Sequence, residues 1–154
     1  MATLRSPSWS AGGGAPVDPD AAALLERLER AVGADLVGVV AYGSWARGDA
    51  GDASDIDLLV VVDTRLEITR ESYRTLDEPP PRWGGRDVDV HLVTLPAAGA
   101  EITGSWAEAA TEGIVLRVRG LEISRRLIDI RRRVAAGEIT RRVVHGQPYW
   151  VRGG

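Results

Sequence analysis

The sequence of 154 residues contains no cysteine, lysine, asparagine or phenylalanine. The absence of cysteine excludes disulfide frameworks, thiolate zinc sites, iron–sulfur clusters and cysteine nucleophiles, and it is typical of a reducing compartment. The absence of lysine excludes Schiff-base chemistry and the phosphate-binding lysine of a P-loop. All 19 basic residues are therefore arginine, and together with abundant alanine, glycine and valine this composition indicates GC-rich, bacterial coding.

Long apolar runs are also missing, since the longest covers only Leu58 to Val62. We therefore expect no membrane span and no secretory leader, and a cytoplasmic protein that does not enter a membrane. Hydrophobic residues at 44% and charged residues at 27% exclude a disordered chain. The length corresponds to about one domain.

Charge is distributed unevenly along the chain. From Arg117 onwards the sequence contains ten arginines and three acidic residues, a net charge of +7, whereas the preceding residues carry a net charge of −10. Residues 1–17 are rich in Ser, Gly and Pro and predict a flexible tail. We therefore expect this tail, a core over 18–120, and an arginine-rich C-terminal helix and tail over 121–154. The basic segment either binds RNA or an acidic partner, or only packs on the acidic core with its charges paired.

Hydrophobic periodicity predicts an alternation of helices and strands. The predicted helices cover residues 18–33, 63–76, 101–111 and 122–134, and the predicted strands cover residues 35–42, 55–62, 87–94 and 114–118. The unbroken apolar half of the second strand predicts a central position, and the last strand is expected at an edge. This order indicates a small α/β or α+β sheet covered by helices.

Two carboxylates lie at the start of the second strand. Asp55 and Asp57 are two residues apart, so they project from one face while Ile56 points to the other. Like charges this close repel unless a cation lies between them. Hard oxygen ligands of this kind favour Mg²⁺ or Mn²⁺.

A glycine-rich turn precedes these carboxylates. Gly43 permits close approach of a phosphate, and Ser44 and the free amides beside it can donate hydrogen bonds. Arg47 lies on the same side if the turn is helical and could pair with a phosphate. A third carboxylate is expected from the strand that holds Asp87 and Asp89, of which we favour Asp89 because valines flank it.

The segment GSWARGDAGDASDIDLLV, with the later VDV strand, resembles the signature of the DNA polymerase beta superfamily of nucleotidyltransferases, especially its minimal bacterial members. The resemblance implies a mixed sheet flanked by helices. It also implies two Mg²⁺ ions and transfer of a nucleoside monophosphate, with AMP from ATP favoured, to an acceptor hydroxyl. By position, Gly43 and Ser44 would hold the triphosphate, and Asp55, Asp57 and Asp89 the metals.

The resemblance also implies a class of partner, because minimal nucleotidyltransferases often pair with HEPN-domain RNases in toxin–antitoxin systems and can adenylylate them. Self-association is a further expectation, since the chain has little beyond a minimal core. Two alternatives stay open: a non-catalytic nucleotide- or partner-binding module, and a small-molecule or tRNA nucleotidyltransferase. Roles are also open for His91, for His145 and for Trp45, which could stack on a base or shield the phosphate pocket.

Overall fold

The computed structural model describes residues 19–51 and 53–153, and the expected tail over 1–17 lies outside them. Helix α1 covers Pro19–Val32 and is followed by a short 3₁₀ turn, strand β1 and a one-turn helix α2. The remaining elements follow in the order strand β2, helix α3, strands β3 and β4, helix α4, strand β5, helix α5 and strands β6 and β7. Their bounds are β1 Leu36–Tyr42, α2 Gly43–Arg47, β2 Ile56–Val62, α3 Arg70–Asp77, β3 Arg82–Trp83, β4 Arg86–Thr94, α4 Gly104–Glu112, β5 Ile114–Val118, α5 Glu122–Ala135, β6 Ile139–Val144 and β7 Gln147–Arg152.

The main sheet has five strands in the order β3-β4-β2-β1-β5. Strands β2 and β4 are parallel, whereas the other neighbouring pairs are antiparallel. The predicted mixed sheet flanked by helices is therefore confirmed, with β2 central and β5 at an edge. A central strand must be apolar on both faces, which explains the continuous apolar run of β2.

Two apolar layers cover the sheet. One face carries alternate residues such as Ile56 and Leu58 and packs with α1 and α3. The opposite face carries Leu59 and Val61 and packs with α4 and α5. Because side chains alternate along a strand, Asp57 lies on the α4 and α5 face, at the end where that apolar layer stops.

Helix α5 packs closely on strand β1 because of a glycine. A Cβ atom at Gly38 would lie 2.3 Å from Ile123 Cδ1 and 2.7 Å from the carbonyl oxygen of Arg117. Two arginines of α5 are used for structure: Arg131 Nε donates to the Ala110 carbonyl at 2.6 Å, and Arg133 donates to the Ala100 carbonyl at 2.8 Å. Part of the basic charge therefore fastens this helix to the loop before α4 and to α4 itself.

Two predicted helices begin later than expected. Helix α3 begins at Arg70 and not at residue 63, because Asp63 instead accepts a hydrogen bond from the backbone N–H of Arg65 at 2.9 Å. Thr69 and Ser72 form a reciprocal cap at the true start. Helix α4 begins at Gly104, since the Thr103 hydroxyl accepts from the Trp106 N–H.

The segment after α5 is a β-hairpin, where the sequence was interpreted as a tail. Strands β6 and β7 pair antiparallel in a separate two-stranded sheet. His145 and Gly146 connect them with φ values of 51° and 76°, as a two-residue hairpin turn of this type requires. The three apolar side chains of the hairpin that are most exposed are Val143, Val144 and Tyr149.

The free edge of β4 is protected by a side chain. Strand β3 pairs only with Arg86 and Asp87, so most of β4 lies beyond it. The Tyr73 hydroxyl of α3 accepts a hydrogen bond from Leu92 N at 3.0 Å and lies 3.5 Å from Leu92 O.

Within the described ranges, no helix is both long and apolar enough to cross a bilayer.

Candidate active site

The candidate site is built by the register between β2 and β4. These strands are parallel, and Asp57 is the direct Cα partner of Asp89. On its other side Asp57 pairs with Tyr42 of β1. Side chains of directly paired residues point to the same face, so backbone pairing brings the two carboxylates together.

A third donor joins the two carboxylates. Asp57, Asp89 and His91 each offer a ligand atom, and these atoms all lie within 4.8 Å of one another. His91 follows Asp89 on the same face of β4, and its Nε2 lies 3.2 Å from Asp89 Oδ2. Two carboxylates and an imidazole at this spacing can hold a divalent cation.

The electrostatics of the cluster of Asp57, Asp89 and His91 favour the binding of a cation. Burial and then the negative charge of Asp89 raise the pKa of Asp57, with Asp55 adding to the effect, while His91 and Arg47 oppose it. The pKa of Tyr42 is also raised, by burial and by Asp57 and Asp89, so its phenol stays protonated. Concentrated negative charge in a half-buried position is stabilised by a cation.

Gly43 touches this cluster directly. Its φ is +80°, a conformation that side chains disfavour, and a Cβ atom there would lie 2.6 Å from Asp57 Oδ2. The backbone conformation therefore favours glycine at this position, and a larger residue would also displace the Asp57 carboxylate. Ser44 follows it in α2, whose end is closed by Gly48 and by the Asp49 N–H donating to the Ser44 carbonyl.

Asp55 and Asp87, the two other carboxylates that the sequence offers as metal ligands, are not part of the group formed by Asp57, Asp89 and His91. Asp55 is exposed, one residue before β2, and acts on Asp57 through its charge. Arg86 holds the loop that carries Asp55, because its guanidinium donates to the carbonyls of Gly51 and Ser54 at 2.7 and 2.9 Å.

Asp87 on β4 is not part of this group but forms an ion pair with Arg82 at 2.5 Å. Of the two aspartates on β4, Asp89 is the one that faces Asp57.

Arg47 lies in the turn but is already paired. Its Nη1 donates to Glu108 Oε2 at 3.0 Å, and its Nε lies 3.4 Å from Asp49 Oδ2. Burial would lower the pKa of Arg47, but Glu108 and Asp49 outweigh this and raise it. The guanidinium is thus held against α4 in this structure.

Sequence reasoning missed two residues of the site and left the roles of two others open, namely Trp45 and His91, which lies beside Asp89. Tyr42 directly precedes Gly43, and alternation from Val40 would have placed it on the face of Asp57. Glu108 gave no signal, because a glutamate in a short helix is usually exposed. Trp45 packs against Trp83 with ring centroids 4.7 Å apart and against the apolar core, and a stacking or shielding role for it stays a prediction.

Comparisons with known proteins relate the chain to one family. The family model of the nucleotidyltransferase domain matches residues 22–111, more than half of the chain. A crystal structure of a toxin–antitoxin with AMP-PNP is 16% identical and covers 71% of this chain and 83% of that chain, with a TM-score of 0.47. A protein from Sulfolobus solfataricus assigned as a nucleotidyltransferase is 21% identical and covers 71% of this chain and 94% of that one, with a TM-score of 0.40. No curated protein matches the chain significantly.

Proposed function

The chain belongs to the nucleotidyltransferase domain family, and from this premise we propose that it transfers AMP from ATP to an acceptor hydroxyl in a Mg²⁺-dependent reaction. The observation that carries the proposal is the pairing of Asp57 with Asp89 beside Gly43. Convergent carboxylates next to a glycine turn suit nucleotidyl transfer, because catalysis of this chemistry rests on positioning and on charge stabilisation.

The carboxylates would hold the metal. We assign Asp57 and Asp89 to this role, with Asp55 reaching the same cation or a second one from the loop before β2. Oxygen donors favour Mg²⁺, and Mn²⁺ is the second choice. When bound, two Mg²⁺ ions would neutralise the triphosphate and lower the pKa of the acceptor hydroxyl.

The turn over 43–47 would hold the nucleotide. Gly43 has no side chain to obstruct a phosphate, and the Ser44 hydroxyl and the turn amides supply hydrogen-bond donors. The direct contact between Arg47 and phosphate that the sequence predicts would require Arg47 to leave Glu108. Tyr42, held neutral beside the carboxylates, can donate a hydrogen bond without adding negative charge.

The acceptor is proposed to lie on a partner protein. The chain exposes apolar side chains beside the arginines of α5: Leu121, just before the helix, is 63% exposed, and Ile128, within it, is 43% exposed. A mixed apolar and basic face suits a protein surface better than a small molecule. By family resemblance we propose a HEPN-domain RNase as this partner, with the chain as antitoxin. Self-association and RNA binding through the arginine-rich helix are the other outcomes to test.

The test follows label from α-phosphate-labelled ATP in the presence of Mg²⁺. Wild type is compared with Asp57→Asn and Asp89→Asn, and Asp87→Asn is the matched control because it alters an aspartate on the same strand that is paired with Arg82. The acceptors offered are a HEPN-domain protein, bulk tRNA, a small-molecule extract and the chain itself. We expect the Asp57 and Asp89 variants to lose about 100-fold or more, and the control to retain activity.

The pattern of label identifies the acceptor class. Label on the partner protein supports the antitoxin role, and label on tRNA or on a small molecule replaces it. If wild type binds ATP but neither labels an acceptor nor releases pyrophosphate with Mg²⁺ or Mn²⁺, catalysis is refuted. The chain would then be a nucleotide-binding module of the same fold.

A further inference from the structure

A buried carboxylate connects the glycine turn with the C-terminal hairpin. Glu108 on α4 is only 8% exposed, although it carries a charge. Its Oε2 accepts from Arg47 of the turn at 3.0 Å, and its Oε1 accepts from the Trp150 indole N–H of β7 at 3.2 Å. Each oxygen therefore serves a different element.

Arginines complete the network from both sides. Arg141 of β6 lies 3.8 Å from Glu108 Oε1 and also forms an ion pair with Glu112, one helical turn further along α4. Glu112 in turn lies 4.0 Å from Arg47 Nε. A buried carboxylate is tolerated only with such partners, since an unpaired charge there would be costly. The network thus holds three elements in one arrangement.

We propose that Glu108 is a positioning residue for nucleotide binding: it fixes Arg47, and through Arg47 the turn over 43–47, against the C-terminal hairpin. The hairpin lies outside the matched family region, yet through Trp150 and Arg141 it supports the nucleotide site. This inference rests on the proposed function in one respect, namely that the turn holds the triphosphate. A change in the position of the hairpin, for example when another molecule binds to it, would then change the affinity of the turn for the nucleotide.

The alternative is that Arg47 itself binds phosphate and that Glu108 competes for it. The two possibilities predict opposite changes. If Glu108 positions the turn, Glu108→Gln leaves the turn loose and weakens ATP binding. If Glu108 competes with phosphate, the same substitution releases Arg47 and strengthens ATP binding.

The experiment combines hydrogen–deuterium exchange with kinetics on the full chain. Glu108→Gln removes the charge, and Trp150→Phe removes the indole donor together with one ring of the side chain while leaving the charges in place. Tyr149→Phe is the control, because this neighbouring β7 side chain is exposed. We expect exchange of amides 43–49 to be about three- to tenfold faster in both test variants and unchanged in the control. The KM for ATP should rise by a similar factor, with kcat within about twofold of wild type.

Two results would overturn the proposal. Unchanged exchange over 43–49 in both test variants would show that the hairpin and the turn are not coupled. A lower KM for Glu108→Gln would identify Arg47 as the phosphate ligand. If wild type neither binds ATP nor transfers AMP, the proposed function fails, and the exchange measurement still decides the coupling.

Discussion

Replacing Asp57 with asparagine is expected to make the metal-free protein more stable while it abolishes transfer. Asparagine keeps the shape of the side chain and removes its charge. In the wild type that charge is half buried and faces Asp89, with ligand atoms no more than 4.8 Å apart. The folded chain therefore holds two like charges together that separate on unfolding.

The size of the effect follows from Coulomb's law. At about 4.8 Å the repulsion is about 1 kcal/mol at the dielectric constant of water and about 3 kcal/mol at an effective value of 20. Because Asp89 is 54% exposed, solvent screening keeps the energy near the lower limit. We expect Asp57→Asn to gain about 1 to 2 kcal/mol, or about 2 to 6 °C in Tm.

The assay is urea unfolding at pH 8 with EDTA and again with Mg²⁺. Mg²⁺ at about ten times its Kd should stabilise the wild type by about 1.4 kcal/mol and the variant much less. Asp87→Asn serves as the control, and loss of its exposed ion pair should cost less than about 1 kcal/mol. If Asp57→Asn is no more stable than wild type in EDTA, the convergent charges are not a source of strain and the argument for a cation site loses its physical basis.

Three further outcomes are expected. Because the pKa of Asp57 is raised above its ordinary 3.8, the stability difference between Asp57→Asn and wild type should be small near that pH and grow as the pH rises through the raised value. Gly43→Ala should lose about 1 to 3 kcal/mol in unfolding free energy and most nucleotide binding, because its Cβ atom would meet Asp57. Tyr73→Phe should lose about 1 kcal/mol, because the Leu92 amide loses its hydroxyl partner.

Each of these has its own contrary result. A difference that stays constant from below pH 3.8 to pH 8 would mean that Asp57 is not the titrating group. Gly43→Ala is compared with Gly99→Ala, where φ is +75° but a Cβ atom would meet nothing within 4 Å. Equal losses in the two variants would assign the effect to backbone conformation alone. If Tyr73→Phe unfolds in urea with the same free energy as the wild type, the Tyr73 hydroxyl does not stabilise the edge of β4.

Much of the fold could be predicted because burial leaves a local pattern. The apolar run after Asp57 predicts a central strand, since only a strand covered on both faces has no polar alternation. The hairpin was missed for the opposite reason: its strands are largely exposed, and Pro148 within β7 argues against a strand. The start of α3 was misplaced because Asp63 and Thr69 are both good caps, and contacts outside the helix decide between them.

The candidate site was predictable in its residue types but not in its geometry. Asp57 and Asp89 are 32 positions apart in the sequence, and only the register of β2 against β4 places them side by side. A shift of two residues would keep the same face and bring Asp87 opposite Asp57, so the sequence could not choose between them. The role of Glu108 could not be predicted for a related reason, because its partners Arg47 and Trp150 are distant in the sequence and only the fold brings them together.

The Tyr73 hydroxyl has a consequence for how this protein can associate with others. An open strand edge is a template on which another chain can form cross-strand hydrogen bonds, leading to sheet extension or fibrillar aggregation. By satisfying the Leu92 amide, Tyr73 closes this template on the strand that carries Asp89. A chain that paired here would have to displace α3 and would pull on the strand that holds the carboxylate. Association by strand addition is therefore directed away from the edge nearest the candidate site.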